Sequence, residues 1–429
     1  MPHHCIIIGG GFAGLSAASH LSNLGYEITL LEASPKLGGR AYSFYDDETK
    51  TVIDNGQHIL MGCYNYTLEF LRLVSALENF DIQKKLEVNF LKQNFQRYKL
   101  QAGILPYPLN LAAGLLKFDS ISIKSRAGIL KTLIKLPFMT KQKVESLTVE
   151  QWLKNENQDK ESLNSFWEII AVGALNTSIE KASAKVFTDI LKEIFLSGKR
   201  SSKIILPKKG LTESYVDSAQ NFILTKNGRI NCGEEVIEIL IENDKAIKVK
   251  TNKNEYSNFE FIVSAVPYFA FTRYIDKNIL SDIPEFDYST IVNIHIWLKK
   301  NNLKEKFYGL VDSSVHWIFN KGSHLNLVIS EADYLKEKSS EEIFEMINAE
   351  LKKFTNINSE NILTYKVIKE KRATFVPTNE ILNKRPSIKT SVKNLFAAGD
   401  WVDTGLPSTI ESAVKSGKMV SEIIAEISG

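Results

Sequence analysis

The sequence has 429 residues, of which 44% are hydrophobic and 24% are charged, a composition typical of a globular protein with two or three structural units. Lysine and arginine number 53 and aspartate and glutamate 50, so the near balance argues against a nucleic-acid-binding protein. The three cysteines are scattered, with neither zinc-ligand nor disulfide spacing, which favours a reducing compartment. The sequence shows neither a signal-peptide pattern nor an apolar run of about 18 residues, so we expect a cytoplasmic protein.

The first strands and helix are predicted from short apolar runs separated by glycine. Cys5–Ile8 is rich in β-branched residues and predicts a strand. Leu15–Leu24 has helical spacing and stops at Gly25, and Glu27–Leu31 predicts a second strand. The order strand, glycine turn, helix, strand is typical of a dinucleotide-binding unit.

A GxGxxG pattern occupies the turn between the first strand and the helix. Gly9 allows the tight turn, Gly11 lets the backbone approach a pyrophosphate, and Gly14 lets the helix pack close to the strand. Glu32 ends the second strand, where its carboxylate can hold the ribose hydroxyls of an adenosine. Free N–H groups at the start of the helix can bind phosphates. The pattern therefore predicts a dinucleotide site rather than a glycine turn without a ligand, and the adjoining residues of that site are Phe12 and Ala13.

The residues that follow, EASPKLGGR at 32–40, resemble the extended fingerprint of the flavin amine oxidase and phytoene desaturase superfamily. This resemblance implies FAD rather than NAD. Gly38 and Gly39 would let the backbone pass close to the cofactor, and Arg40 would offer a fixed guanidinium to the pyrophosphate. The alternative for Arg40 is an ordinary surface arginine. Ala33 is included among the implied cofactor contacts.

A second motif lies near the C-terminus. Leu395–Trp401 predicts a short strand that closes on Gly-Asp, and a helix is predicted from about Ser412 to Ile427 after the TGLPSTIE segment at 404–411. The pattern resembles the C-terminal FAD motif of the same superfamily. The resemblance implies that Asp400 holds the ribityl or pyrophosphate region, whereas the alternative is a helix or turn cap. N–H groups at the start of the helix would face the flavin pyrimidine edge. The implied cofactor contacts are Gly399, Asp400, Thr409 and Ile410.

The middle of the chain predicts strands that return to the cofactor domain. Arg229–Ile241 predicts one strand with Val236 at its centre, and the resemblance implies that Val236 contacts adenine. Lys245–Thr251 and Phe259–Ala265 predict two more strands. The implied fold is α/β and amine oxidase-like, with a discontinuous Rossmann-like FAD-binding domain and a second α+β substrate domain. The predicted boundaries are 1–85, 205–267 and 389–429 for the FAD-binding domain and 86–204 and 268–388 for the substrate-binding domain.

The segment IDNGQHILMGCY at 53–64 points to one branch of the superfamily. It resembles the squalene-associated FAD enzymes, the hydroxysqualene dehydroxylases of bacterial squalene and hopanoid synthesis. Residues 372–375, 385–386 and 404–411 match the same pattern. The resemblance implies a reaction in which hydroxysqualene and reduced FAD give squalene, water and oxidised FAD. It also implies that this segment lies against the flavin ring, through Gly56, Gln57 and His58.

Two side chains of this segment are candidates for the acid of that reaction. An allylic hydroxyl leaves as water once it is protonated, and the allylic cation then accepts hydride from the flavin, so the protein must supply an acid and a dry pocket. His58 can carry a proton near neutral pH, and Asp54 precedes the same turn. The alternatives are a hydrogen-bonded structural histidine and an aspartate that caps the turn. Because no second dinucleotide fingerprint is visible, we expect an external electron donor.

Three other activities share parts of the pattern. A carotenoid or other polyprenoid desaturase would oxidise where the first interpretation reduces. An amine oxidase or protoporphyrinogen-type oxidase would pass its electrons to oxygen. A prenyl-protein escort module shares the fold without binding FAD, but the intact glycines, Glu32, Arg40 and Asp400 argue against it.

One basic segment stands out in an otherwise slightly acidic chain. Residues 106–144 contain seven basic side chains and one acidic side chain. The helix predicted there has one apolar face, formed by Ile129, Leu130, Leu133 and Ile134. Lys131 and Lys135 lie off that face, as suits a helix on an anionic membrane from which a polyprenoid is taken. One interpretation is peripheral contact with the inner face of the cell membrane, and the alternative is the solvated face of an ordinary helix packed on the core.

Overall fold

The computed structural model describes residues 3–280 and 283–429. Helices and strands alternate along much of the chain, as the sequence predicts for an α/β protein. The helices are α1 (Phe12–Asn23), α2 (Asn65–Leu73), α3 (Leu109–Leu116), α4 (Ile123–Lys135), α5 (Val149–Asn155), α6 (Lys160–Ser162), α7 (Glu168–Leu175), α8 (Ala184–Leu196), α9 (Asp217–Thr225), α10 (Tyr268–Phe271), α11 (Ser340–Phe354), α12 (Asn379–Asn383) and α13 (Ile410–Ser428).

Most strands are short, and the two longest belong to one sheet. The strands are β1 (His4–Ile8), β2 (Glu27–Glu32), β3 (Ser43–Asp46), β4 (Thr51–Asp54), β5 (Leu60–Met61), β6 (Phe80–Ile82), β7 (Glu87–Lys92), β8 (Gln96–Gln101), β9 (Ile204–Pro207), β10 (Arg229–Cys232), β11 (Val236–Glu242), β12 (Lys245–Thr251), β13 (Glu255–Tyr256), β14 (Phe261–Ser264), β15 (Tyr288–Leu298), β16 (Phe307–Leu310), β17 (Trp317–Asn320), β18 (His324–Ile329), β19 (Ile362–Phe375) and β20 (Leu395–Ala397).

A parallel sheet joins the start, the middle and the end of the chain. Its order is β10-β2-β1-β14-β20, and every pairing in it is parallel. The buried apolar side chains of β1 and β14 read as continuous runs, as expected for strands covered on both faces. Helix α13 packs directly on α1, since a Cβ on Gly417 would overlap the Ala13 carbonyl oxygen. The predicted α/β fold with a discontinuous sheet is confirmed.

The strand predicted over Arg229–Ile241 is wrong in one respect, because the structure divides it in two. Gly233, with φ of +67°, breaks the extended backbone between β10 and β11. Strand β10 becomes the edge of the parallel sheet beside β2, whereas β11 begins an antiparallel sheet with β12 and β13. Val236 is therefore the first residue of a strand and not its centre.

A larger mixed sheet is built from both insertions between the cofactor-binding segments. Its order is β19-β15-β18-β17-β16-β7-β8, so the hairpin β7-β8 joins strands that lie about 200 residues later in sequence. Helix α11 packs on one face, where Ile294, Leu327 and Ile347 belong to one buried apolar cluster. The opposite face lies against the helical part of the first insertion through residues such as Phe319 and Trp167.

Helix α4 turns a different face to the core than the sequence predicts. Ile129 is fully buried in the core cluster that includes α8, and Leu130 and Leu133 pack against that cluster. Ile134 is 63% exposed and therefore does not share their surroundings. The prediction of one apolar face made of these four residues is wrong, because a helical wheel cannot tell which of two apolar stripes meets the protein.

The outward stripe of α4 is nevertheless apolar. Positions 123, 127, 130 and 134 follow helical spacing, and Ile123 at the start of the stripe is 75% exposed. Phe138, just beyond the helix, is 76% exposed, and Ile104 in the loop before α3 is fully exposed. Within residues 3–280 and 283–429, helices long and apolar enough to cross a membrane are absent.

Candidate active site

The glycine turn is as tight as the fingerprint predicts. Gly9 has a φ of +100°, and a Cβ on Gly14 would overlap the Gly9 carbonyl oxygen. Gly39 also has a positive φ, and a Cβ there would lie 3.0 Å from the Gly11 Cα. Two separate glycine segments thus form one side-chain-free cradle at the N-terminus of α1. The Gly38 N–H donates to the Gly10 carbonyl at 2.9 Å and fixes the two segments together.

The two residues beside these glycines in α1 have different surroundings. The Phe12 ring stacks on Tyr215 with their centroids 3.9 Å apart, so the side chain serves packing and only its backbone faces the turn. Ala13 is buried against α13. The small side chain at position 13 permits the close approach of the last helix.

Glu32 ends β2 beside the glycine turn. Its carboxylate accepts the N–H groups of Gly10 at 2.6 Å and Ser34 at 2.7 Å, which fixes its orientation at the end of β2. Ala33 beside it is exposed. The N–H of Glu234 donates to the Glu32 carbonyl at 2.9 Å, and Val236 is buried shortly after it. The break at Gly233 therefore brings Val236 towards the adenosine end of the predicted site.

Arg40 and Asp400 join the two FAD motifs across 360 residues. The Arg40 Nη2 donates to Asp400 Oδ1 at 2.6 Å, and its Nη1 donates to the Ala373 carbonyl at 2.7 Å. The Ser408 hydroxyl donates to the second carboxylate oxygen. Burial alone would raise the pKa of Asp400, but the Arg40 guanidinium outweighs it and holds that pKa below its usual range. Asp400 is thus a buried, ionised carboxylate.

Arg385 forms hydrogen bonds with the loop after Asp400. It was not predicted as a site residue from the sequence. Its buried guanidinium donates to the carbonyls of Asp400 at 2.9 Å and Leu406 at 2.5 Å, and also to those of Trp401 and Val402. Burial lowers its pKa to about 10, so it remains charged at neutral pH. The position of an arginine shortly before the Gly-Asp motif could have indicated a role in the site. The sequence does not show which carbonyl groups the arginine contacts, because these depend on the fold of the loop.

Hydrogen bonds fix the start of the last helix, α13, to the neighbouring segments. The Thr409 hydroxyl accepts the Ser412 N–H at 3.2 Å as an N-cap, and Ile410 is the first helical residue. Gly399, with φ of +147°, donates its N–H to Ser416 at 2.8 Å. The Glu411 carboxylate accepts the N–H groups at the start of α2 and so connects that helix to the cofactor motif.

The turn at 54–58 is attached to the same framework. The Asn55 amide donates to the Arg40 carbonyl at 2.8 Å and accepts the Tyr42 N–H at 3.0 Å. Gly56 lies against Asn293 of β15, because a Cβ on Gly56 would be 3.3 Å from the Asn293 amide nitrogen. The turn therefore lies between the cofactor motifs and the larger sheet.

Asp54 is surrounded by donors. Its carboxylate accepts from the Ser43 hydroxyl at 2.7 Å, the Leu211 N–H at 2.9 Å, and at 3.0 Å from both Gln57 and the Lys321 ammonium. Burial acts to raise the pKa of Asp54, but Lys321 and the hydrogen bonds outweigh it and keep that pKa below its ordinary value. The group is therefore a base already satisfied by four donors and carries no proton at neutral pH.

His58 lies in different surroundings from Asp54. Its Nε2 is buried and has no hydrogen-bond partner among the described residues. Burial lowers the pKa of His58 to about 4, although the Asp54 carboxylate acts in the opposite direction. The imidazole is thus neutral at pH 7, and its free nitrogen is available to a ligand.

The residues present fit FAD. The cradle of Gly11 and Gly39 would be filled by side chains at either position, and it opens at the N-terminus of a helix, where phosphates bind. Glu32 and Arg40 supply the carboxylate and the guanidinium that a ribose and a pyrophosphate need. Among residues 3–280 and 283–429, clusters of side chains able to hold a metal ion are absent.

Comparison with known proteins agrees with this geometry. The chain is 27% identical to the hydroxysqualene dehydroxylase of Zymomonas mobilis, over 97% of this chain and 98% of that protein. A more distant relative, the 15-cis-phytoene desaturase of Glycine max, is 23% identical over 99% of this chain and 80% of its own. A solved structure of an oxidoreductase from Methanosarcina mazei aligns with a TM-score of 0.76 at 17% identity, covering 98% of this chain and 100% of that one.

The family model for flavin containing amine oxidoreductases matches residues 12–425, nearly the whole chain. That range begins directly after Gly11 and contains Gly39 and the Arg40–Asp400 pair. The match and the cradle agree on the cofactor, and this chain belongs to the flavin containing amine oxidoreductase family as an FAD-dependent oxidoreductase.

Proposed function

We propose that this protein is a hydroxysqualene dehydroxylase that reduces a C30 allylic alcohol to squalene. One observation carries this proposal, the similarity to the Zymomonas mobilis enzyme over 97% of this chain. Hydroxysqualene and reduced FAD would give squalene, water and oxidised FAD. The C–O bond breaks, the oxygen leaves as water with one added proton, and the allylic carbon gains a hydride. Reduced flavin supplies that hydride when it is bound, and an external donor supplies its electrons.

His58 and Asp54 divide the work at the reacting end of this proposal. With its low pKa, protonated His58 is a strong acid that readily gives its proton to a leaving hydroxyl. Asp54 instead acts as a positioning residue, because four donors fix its carboxylate and its backbone begins the turn that carries His58. The division of the chain at 1–85, 205–267 and 389–429 for FAD and 86–204 and 268–388 for substrate is part of the same proposal.

The test is a single turnover without oxygen. Reduced holoprotein mixed with hydroxysqualene should give squalene in amounts equal to the flavin reoxidised, as measured by mass spectrometry and absorbance. A parallel reaction of oxidised holoprotein with phytoene should leave the flavin oxidised. Flavin reduction by phytoene, together with no squalene from the alcohol, would identify a desaturase and overturn the proposal.

We further propose that the basic segment 106–144, together with Ile104 just before it, contacts the inner face of the cell membrane. The outward stripe of α4, together with Phe138 and Ile104, offers apolar side chains on the side of the helix opposite the buried Ile129. Lys124 and Lys131 flank this stripe, while Lys135 is paired with Glu156 at 2.5 Å. Apolar side chains flanked by cations suit the interface of an anionic bilayer, in which a C30 hydrocarbon is dissolved.

Liposome flotation tests this contact. The holoprotein should float with vesicles of phosphatidylglycerol and phosphatidylethanolamine, and the triple change Ile123→Ser, Ile134→Ser, Phe138→Ser should abolish flotation. The matched control changes Ile237→Ser and Leu363→Ser, which are also exposed apolar residues but lie on β11 and β19. Flotation that survives the triple change, or is absent in the wild type, removes the membrane proposal.

A further inference from the structure

One face of the larger sheet carries a group of buried polar side chains. In the register of β15 with β18, His295 lies opposite Asn326 and Trp297 opposite His324. Alternation along β15 places Asn293 on the same face as His295. The intervening residues, Ile294 among them, point to the apolar cluster beneath α11. We call Asn293, His295, His324 and Asn326 the buried polar cluster, and each is at most 4% exposed.

The members of this cluster are close together. The His295 Nε2 lies 3.1 Å from the Asn326 amide nitrogen, and the rings of His295 and His324 have centroids 5.2 Å apart. Trp297 stacks on His324 with centroids 5.0 Å apart. Several of their polar atoms have no hydrogen-bond partner in the part of the chain that the structure describes. These atoms are Asn293 Oδ1, His295 Nδ1, His324 Nε2 and Asn326 Oδ1.

A group of unpartnered buried polar atoms calls for an explanation. A buried donor or acceptor without a partner is costly, whereas apolar side chains of similar size would leave the sheet more stable. The protein itself does not satisfy these atoms within residues 3–280 and 283–429. Their number on one face points to a ligand that brings its own hydroxyl or amide group.

The cluster borders the turn that the flavin ring is expected to contact. His295 Nε2 lies 3.1 Å from the Asp54 carbonyl oxygen, and Asn293 contacts Gly56. The Asp54 carbonyl can only accept and the Asn326 amide nitrogen can only donate, so these two neighbours of His295 Nε2 favour opposite tautomers of the ring. In either tautomer His295 Nδ1 has no hydrogen-bond partner among the described residues. The unpartnered His58 Nε2 belongs to the same turn.

Beyond the cluster the same sheet face becomes apolar. Asn326 lies opposite Phe319 of β17, and Phe319 lies opposite Phe307 of β16. Both rings belong to the core cluster shared with the helices of the first insertion. Protein side chains therefore fill this face beyond the cluster, and the buried polar cluster lies at the end that borders the turn at 54–58.

We propose that the buried polar cluster binds the hydroxyl group of a polyprenoid alcohol and thereby selects the alcohol over the corresponding hydrocarbon. This inference rests on the proposed function for the length of the polyprenoid. The recognition itself depends only on the hydroxyl group of the ligand. A hydrocarbon placed there would leave the polar atoms unpartnered, which is how buried polar sites reject analogues that lack the group. Once the alcohol has become squalene, the product loses these contacts and is released more readily.

The charge state of the cluster suits an alcohol. Burial lowers the pKa of His295 to about 3 and that of His324 to about 4, so both rings are neutral at pH 7. The Lys321 ammonium lowers both values further, while the Asp54 carboxylate opposes it. A neutral imidazole has one donor and one acceptor nitrogen, and a hydroxyl can use either.

Equilibrium binding to oxidised holoprotein tests the proposal without turnover. Hydroxysqualene and squalene are titrated in detergent micelles, and the perturbation of the flavin spectrum gives each Kd. A second pair, farnesol and farnesene, differs by the same hydroxyl on a shorter chain. We expect the alcohol of at least one pair to bind about tenfold or more tightly than its hydrocarbon, as expected for one desolvated hydrogen-bonding group.

In Asn326→Leu the ratio of the hydrocarbon Kd to the alcohol Kd should fall close to one. The alcohol should bind more weakly than it does to the wild type, whereas the affinity for the hydrocarbon should not change. Asn348→Leu, an asparagine of α11 on the far side of the sheet, is the matched control and should keep the ratio. If Asn326→Leu does not retain flavin, Asn293→Leu makes the same test. A ratio near one in the wild type, or unchanged in both variants, overturns the cluster proposal.

The binding experiment tests the hydroxyl site separately from the proposed dehydroxylase activity. A wild-type protein that prefers alcohols but yields no squalene from hydroxysqualene would keep the hydroxyl site and remove only the dehydroxylase assignment. A protein that yields squalene but binds alcohol and hydrocarbon equally would keep the enzyme and remove the site.

Discussion

The cofactor end and the reacting end of this protein are built by different means. At the cofactor end the backbone itself forms the site, so glycines such as Gly11 and Gly39 matter because they have no side chain. At the proposed reacting end the candidate groups are side chains, including Asp54, His58 and His295, and the contact between Asp54 and His295 joins segments about 240 residues apart. Substitutions in the first region should therefore remove the flavin, and those in the second should spare it and alter chemistry.

The largest effect is expected at Gly14. In Gly14→Val the new Cβ would overlap the Gly9 carbonyl, and neither backbone can move without opening the turn. We expect loss of bound flavin and a cost of about 1–3 kcal/mol or more in the free energy of unfolding. Flavin absorbance per protein and thermal unfolding measure both. Gly128→Ala, where a Cβ meets only ordinary contacts, should retain flavin, and a flavin-replete Gly14→Val would contradict the backbone account.

A smaller loss is expected when one charge of the cofactor end is removed. Asp400→Asn keeps the size of the side chain but replaces the charged hydrogen bond to Arg40 with a neutral one. A hydrogen bond to a charged group contributes about 1.5–3 kcal/mol, so flavin affinity should fall about tenfold to a hundredfold. Isothermal titration of the apoprotein with FAD measures this. Asp403→Asn, an exposed carboxylate in the same loop, should bind FAD as the wild type does.

The reacting end should show itself in the pH dependence of turnover. The pKa of His58 is about 4, so at higher pH the protonated fraction of its ring increases about tenfold for each pH unit that the pH is lowered. If His58 gives the proton, the single-turnover rate should therefore rise about tenfold per unit as the pH is lowered from 8 towards 5. His58→Ala should keep flavin and lose this slope. His316→Gln, another buried histidine with a lowered pKa, should keep the slope. A wild-type slope that persists in His58→Ala would assign the acid elsewhere.

The smallest effect concerns stability in mild acid. Burial lowers the folded-state pKa of His58, His316 and His324 to about 4 and that of His295 to about 3. Between about pH 4 and 6.5 the unfolded chain binds more protons than the folded one, so stability declines as the pH falls through that window. Tm should drop by several degrees from pH 7 to pH 5, and less in His316→Gln. A Tm that is flat over this range would show that these rings are charged in the folded protein.

Sequence reasoning recovered the parts of the molecule that depend on neighbouring residues. Strands β1 and β2, helix α13 and the glycine turn follow from local spacing, and the structure confirms them. The break at Gly233 was missed, because one glycine inside a β-rich run does not reveal its φ. The outward face of α4 was misassigned, since two apolar stripes compete for the core. His295 and His324 could not be paired from sequence, because only the strand register brings them together.

The position of β20 and α13 has a consequence for how the protein is made. These elements supply Asp400 and the N-terminus of the last helix, so a ribosome has synthesised about nine-tenths of these 429 residues before Arg40 can meet its partner. A nascent chain that already displays the first glycine turn still lacks the partner of Arg40. We therefore expect flavin to be held firmly only after this C-terminal part of the chain has folded.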